Sequence, residues 1–135
     1  VENILMRRPL WMNVVFLFCV YMTFVYLPWD VFVKPIAEDE EVWFGFIFYG
    51  WMAKLGGIVH WAVYGSLTYG LWFMRPWAWS CVGLYLLQIA WSMCVWALLT
   101  DSPNSGWASL AVALMFVFLS TIFYRNRSLF NSELS

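Results

Sequence analysis

Charge is what this sequence has least of. Only 11% of its 135 residues are charged, whereas 64% are hydrophobic and 22% are aromatic. A soluble domain is usually about 25% charged, and a chain this short has too much surface for its volume to bury so many apolar side chains. The composition therefore excludes a soluble enzyme and a disordered linker, and it indicates an integral membrane protein.

Several chemical motifs are also missing from the sequence. The three cysteines, Cys19, Cys81 and Cys94, form no CxxC pair, and neither an HExxH motif nor a glycine-rich phosphate loop is present. The formal net charge of -1 provides no basic footprint for nucleic acid. We therefore expect no catalytic residues, no metal site and no nucleic-acid partner, and we expect the cysteines to pack as small apolar residues.

What the sequence does have is four apolar stretches, each long enough for a transmembrane helix of about 20 residues. We predict spans at about residues 10–28, 45–74, 77–99 and 107–124. Pro28 and the turn cluster at residues 100–106 are expected to end the first and third spans. The second apolar region begins at Val42 and would be about 50 Å long as one helix. Residues 42–51 should therefore either lie in the membrane interface or extend one long tilted helix.

The basic residues predict the orientation of these spans. Arg7, Arg8, Arg75, Arg125 and Arg127 fall on one side of the membrane, and most of the acids fall on the other. The positive-inside rule then places both termini in the cytoplasm. We predict an all-α integral protein of the bacterial inner membrane, a single membrane domain over residues 1–135, with four transmembrane helices in an up-down bundle.

Lys54 and the run of acids at residues 38–41 are expected near the outer end of the second span. There the ammonium of Lys54 can reach water, and the acids can complement the dipole at a solvated helix start. Most of the eleven tryptophans are expected at the membrane interfaces. Trp51, Trp61 and Trp91 are expected to lie deeper, where each indole N–H needs a partner.

The second span carries two stripes of small and aromatic residues. Gly57, Trp61 and Gly65 recur every four residues, and Gly56, His60 and Tyr64 form the adjacent stripe. Small residues allow a second helix to approach closely. We therefore predict a helix-packing interface that includes Gly57, Gly65 and Gly70.

His60 is the only histidine, and it falls in the middle of a span, where an ionisable group is a functional hypothesis by default. One interpretation is a neutral imidazole bonded to a neighbouring helix, and Gln88 of the third span is in a position to bond either His60 or Ser66. Another is proton or substrate handling with Lys54, although a six-residue separation puts the two on different helix faces. The sequence around His60 shows no intramembrane acid.

The third interpretation of His60 is an axial ligand of a tetrapyrrole, either chlorophyll or haem, with Gly56, Trp61 and Tyr64 against the ring. The Gly56-x-x-x-His60 spacing resembles the small-x-x-x-His pattern of light-harvesting polypeptides, and that resemblance implies pigment ligation by His60. Bound lipid is the other expected cofactor.

Three functions follow from these observations. The leading expectation is a non-enzymatic accessory or structural subunit of a larger membrane complex, such as a redox or photosynthetic complex, with membrane lipid and larger integral subunits as partners. The alternatives are a tetrapyrrole-binding membrane protein with His60 as ligand and a small homo-oligomeric transporter. The short loops, the abundant aromatic surface and the absent catalytic motifs favour the first.

Overall fold

The computed structural model describes residues 8–99 and 106–131, so Arg7 and most of the predicted turn at residues 100–106 lie outside the described residues. Its helices are α1 (Leu10–Tyr21), α2 (Leu27–Phe32), α3 (Trp51–Trp72), α4 (Ala78–Leu99) and α5 (Trp107–Arg125). Its strands are β1 (Glu40–Trp43) and β2 (Phe46–Tyr49), which pair in one antiparallel sheet. Short 3-10 segments cover Ile36–Glu38 and Arg127–Phe130.

The described chain is mostly helical, and three of its helices are long and apolar enough to cross a membrane. These are the continuous helix Leu10–Phe32, α4 and α5, with mean hydropathy between 1.8 and 2.0. Helix α3 has the same length as α4, 22 residues, but it is less apolar because it includes Lys54 and His60. The fold is compatible with a membrane location.

The first helix continues past Pro28, so the predicted end at that residue is wrong. A π-helical turn at Met22–Tyr26 joins α1 to α2, and the N–H of Leu27 bonds the carbonyl of Met22 five residues back. A proline inside a regular helix lacks a donor and clashes with the carbonyl four residues before it. Pro28 instead stands in the first turn of α2, after the wider turn, and the helix reaches Phe32.

Residues 40–49 form a β-hairpin, which corrects the all-α prediction and the prediction of one long helix through residues 42–51. Glu40 pairs with Tyr49, and Trp43 pairs with Phe46. The two turn residues, Phe44 and Gly45, have φ of 47° and 94°, and positive φ at both positions is what a type I′ hairpin turn requires. Aromatic and β-branched residues around a central glycine favour such a hairpin.

The hairpin folds back along the bundle. Trp43 stacks on His60 with ring centroids 3.9 Å apart, and His60 lies nine residues into α3, or about 14 Å from the start of that helix. At the hairpin tip, a Cβ on Gly45 would meet Val95 of α4 at 3.1 Å. The hairpin therefore lies between α3 and α4, where surrounding protein can bury its non-helical backbone.

Outside the hairpin, the charged residues of the described chain lie at the two ends of the bundle. At one end, the arginine end, Arg8 donates to the carbonyl of Leu71 at 3.0 Å, and Trp11 meets Phe123 edge-on at 5.0 Å. These contacts place Arg8 beside the ends of α3 and α5, near Arg75 and Arg125. The lysines and most of the acids lie at the opposite end, which we call the acidic end.

Candidate functional site

Four buried or half-buried charges form a closed network at the acidic end, which we call the ion-paired cap (Asp30, Lys34, Asp39 and Lys54). The Nζ of Lys34 lies 3.1 Å from Asp30 Oδ1 and 2.8 Å from Asp39 Oδ1. The Nζ of Lys54 lies 3.1 Å from Asp39 Oδ2, and it also donates to the carbonyls of Asp30 and Lys34. Two cations thus balance two carboxylates, and the contacts join α2, the loop after it and α3.

The cap corrects two expectations from the sequence. Lys54 does not extend to water, because only 5% of it is exposed and its ammonium is used inside the protein. The acids at residues 38–41 do not form a solvated helix start. Asp39 is 1% exposed within the cap, and Glu40 and Glu41 belong to β1.

The cap alters the pKa values of its loop residues. Burial alone would raise the pKa of Asp39, but hydrogen bonds and charge from Lys34 and Lys54 outweigh burial and lower it. Burial alone would lower the pKa of Lys34, but hydrogen bonds and charge from Asp39 and Asp30 outweigh it and raise the pKa. Each ion therefore favours the charged form of its partner.

A second polar group surrounds His60, which follows Lys54 on α3 by six residues, or about 1.7 helical turns. The Nδ1 of His60 is hydrogen-bonded to the hydroxyl of Tyr85 on α4, and its Nε2 lies 3.2 Å from Glu41 Oε2 on β1. If the tyrosine hydroxyl donates to Nδ1, the imidazole is neutral and its Nε2–H donates to the carboxylate. The hairpin thus brings an acid to His60, although the sequence around His60 has none.

This geometry corresponds to the first interpretation of His60, in which a neighbouring helix supplies its partner. That partner is Tyr85, whereas Gln88 bonds Ser92 at 3.1 Å. The geometry does not fit ligation of a tetrapyrrole by His60, because both ring nitrogens of His60 have partners. The space above Gly56 is also filled, since a Cβ there would lie 2.7 Å from Trp43 Nε1. The flat group beside His60 is an indole of the chain itself.

The other residues singled out in the sequence have separate neighbours. A Cβ on Gly57 would meet Asp30 and Val31 at 3.3 and 3.4 Å, so this glycine packs against α2. A Cβ on Gly65 would lie 3.8 Å from Thr23, and Gly70 packs tightly on Trp77. Gly57 and Gly65 therefore both face the first helix, Leu10–Phe32, whereas Gly70 faces the beginning of α4.

Trp61 satisfies its indole N–H on the first helix. It donates to the carbonyl of Thr23 at 2.7 Å, inside the π-helical turn. The deep indole therefore has the partner that was expected for it. Trp91 lies near the middle of α4, and its side chain is exposed on the surface of the bundle.

A cavity of about 330 Å³ adjoins the His60 group, between the first helix, the hairpin, α3 and α4. Its polar lining comprises Glu40, Glu41, His60, Tyr64, Gln88 and Ser92. Gln88 is 7% exposed, and among the described residues its amide oxygen has no hydrogen-bond partner. The volume of the cavity is near the lower end of the range for small-molecule sites, which is about 300–1,000 Å³.

Sequence reasoning missed Glu41, Trp43 and Tyr85 as members of this site. A helical interpretation of residues 42–51 placed Glu41 in water and Trp43 at the interface. The signal that predicts the correct placement is the Phe44–Gly45 turn between two aromatic runs. No sequence signal pairs Tyr85 with His60, because the residues lie on separate helices.

Comparison with known proteins adds no relative. The chain matches no family model, and no similar curated protein or solved structure is found. Function must therefore be argued from the geometry of the site.

Proposed function

We propose that the chain crosses the inner membrane four times with both termini in the cytoplasm. The separation of charge supports this orientation, because the arginine end carries Arg8, Arg75 and Arg125, and positive charge is favoured on the cytoplasmic side. Helix α3 has 22 residues, or about 33 Å at 1.5 Å per residue, which is enough for the fourth span. The hairpin then re-enters the membrane from outside.

Single cysteines in a cysteine-free background test this topology. Ala37 and Ser128 are exposed and belong to opposite ends of the bundle. We expect a membrane-impermeant maleimide to label Ala37→Cys in intact cells and Ser128→Cys only after permeabilisation. Labelling of Ser128→Cys in intact cells would contradict the orientation.

We propose that the protein is non-enzymatic and binds a small amphipathic molecule in the cavity beside His60. The observation that carries this proposal is at Gln88: the residue lines the cavity, and its buried amide oxygen has no partner among the described residues. A buried acceptor without a hydrogen bond costs about 1–3 kcal/mol, and a ligand with a donor would remove that cost.

The lining suits a ligand that is mostly apolar. Aromatic and aliphatic side chains form most of the wall, and a few polar groups converge at one side, as is typical of small-molecule sites. The aromatic and aliphatic part includes Phe18, Met22, Tyr26, Ile89, Met93 and Trp96. The exposed apolar surface of the neighbouring helices gives such a ligand access from the lipid.

Saturable binding of the neutral fluorophore 1-aminoanthracene in lipid nanodiscs tests this proposal. We expect a saturable component above empty nanodiscs with the wild-type chain. Met93→Trp should remove it, because Met93 lines the cavity and the larger side chain fills it. Leu98→Trp on the same helix is the matched control, since Leu98 is 76% exposed. Equal binding by both variants, or no saturable component, would contradict the proposal.

The role as an accessory subunit of a larger membrane complex stays a second proposal. It is supported by the exposed aromatic side chains on and beside the hairpin, which are Phe44, Phe46, Tyr49 and Trp51. Exposed apolar patches of this kind mark contacts with lipid or with protein. Purification from the native membrane in mild detergent tests it, because stoichiometric larger subunits should co-purify, and a lone chain would contradict it.

A further inference from the structure

We infer that the cavity takes an organic cation that carries an N–H donor, namely a protonated lipophilic amine. This inference rests on the proposed binding function and names its ligand class. Three properties of the cavity lining carry it: its charge, its unpartnered acceptor and its aromatic wall.

The charge of the lining is negative. Glu40 and Glu41 line the cavity, and among its lining residues there is no lysine or arginine. The cations of the ion-paired cap do not change this balance, because Lys34 and Lys54 are paired with Asp30 and Asp39. Glu41 Oε2 lies 3.2 Å from His60 Nε2, and a carboxylate has about four acceptor positions, so Glu41 retains capacity for a second partner.

The unpartnered acceptor selects a cation that can donate a hydrogen bond. The amide nitrogen of Gln88 donates to Ser92 Oγ at 3.1 Å, which leaves the amide oxygen as the atom without a partner. A cation in the cavity favours this orientation of the amide, because the negative end of the amide dipole then faces it. A quaternary ammonium would meet the same charge but would leave the acceptor unpaired.

The aromatic wall adds an attraction that a neutral ligand lacks. A cation within about 6 Å of an aromatic ring is attracted by the ring electrons, and the attraction is stronger where water is excluded. The aromatic members of the lining are Phe18, Tyr26, Tyr64, Trp96 and Phe116. The site thus combines a counter-ion, an acceptor and aromatic faces.

Three probes of one chain length separate these contributions. Hexylammonium has charge and N–H donors, hexyltrimethylammonium has charge without a donor, and 1-hexanol has a donor without charge. Binding is measured by calorimetry with the full chain in nanodiscs, after subtraction of partitioning into empty nanodiscs. We expect hexylammonium to bind most tightly, with a preference of about tenfold or more over each of the other two probes.

Variants of the two acceptors assign the contributions to residues. Glu41→Gln should weaken the binding of both cations about tenfold or more and leave the binding of hexanol unchanged. Glu41→Asp should retain the preference for cations. Gln88→Leu should weaken the binding of hexylammonium and leave the binding of hexyltrimethylammonium nearly unchanged. The thermal midpoint of each variant is measured to check that the bundle is folded.

The inference is overturned if hexanol binds as tightly as hexylammonium, or if Glu41→Gln binds the cations like the wild-type chain. The proposed binding function would survive either result, because its own test uses a neutral fluorophore and a cavity-filling variant. Loss of 1-aminoanthracene binding only in Met93→Trp, together with no preference for cations, would establish a cavity for neutral ligands.

Discussion

Lys54 donates to two backbone carbonyls and one carboxylate at the acidic end of the bundle. Its aliphatic part packs inside the protein, and the ammonium closes the ion-paired cap. Removing one member of a buried ion pair leaves its partners without compensation, which typically costs about 3–5 kcal/mol. The residue thus connects the loop after α2 to the start of α3.

We expect Lys54→Met to lower the free energy of unfolding by about 3–5 kcal/mol. Arg75→Met is the matched control, because Arg75 is an exposed cation whose hydrogen bond to Tyr69 is 3.3 Å long. Its loss should cost at most about 1 kcal/mol. Denaturant titration in mild detergent measures both, and equal losses would contradict a buried role for Lys54.

At the scale of elements, the hairpin is held in place by the stacking of one indole ring against α3. Trp43 packs over Gly56 and stacks on His60, so the indole fills the space left by the missing side chain. A two-stranded hairpin alone is at best marginally stable, and packing against α3 and α4 is what stabilises it. Gly56 therefore contributes to the docking of the hairpin.

We expect Gly56→Ala to destabilise the protein by about 1–3 kcal/mol, because the added methyl forces Trp43 off its ring partner. A Cβ there would lie 2.7 Å from Trp43 Nε1, whereas a Cβ on Gly65 would lie 3.8 Å from Thr23. Gly65→Ala should therefore be neutral or stabilising by about 1 kcal/mol. Thermal midpoints and near-ultraviolet circular dichroism compare the two, and similar losses would argue against the docked hairpin.

At the scale of the whole molecule, the ion-paired cap links stability to pH at both extremes. The pKa of Asp39 is lowered in the folded chain, so its stabilisation is present above its ordinary pKa of about 3.8 and is lost as the pH falls below that value. The pKa of Lys34 is raised, so its stabilisation is present below its ordinary pKa of about 10.5 and is lost only as the pH rises through the higher folded value.

We therefore expect a thermal midpoint that is nearly constant between about pH 5 and pH 10 and falls on both sides. Asp39→Asn should lower the plateau and reduce the fall on the acidic side, since the titrating carboxylate is gone. Differential scanning calorimetry in detergent gives the profile. An acid fall of the same size in Asp39→Asn would assign the transition to other carboxylates.

The sequence by itself determined most of the helices of this chain and an apolar composition that is compatible with a membrane location. Runs of about 20 apolar residues can form little else in lipid, and the predicted ends of α4 and α5 agree with the structure within one residue. The expectation that His60 bonds a neighbouring helix also followed from its position, because a buried imidazole needs partners. These features depend on local composition, which the sequence carries directly.

Only the tertiary structure decided the site. The return of the hairpin between α3 and α4 and the pairing of Lys54 with Asp39 join residues that are distant in the chain. Glu41 precedes His60 by nineteen positions and reaches it only because β1 runs alongside α3. Hydropathy cannot predict this contact, because the aromatic residues of a hairpin and of a membrane helix are equally apolar.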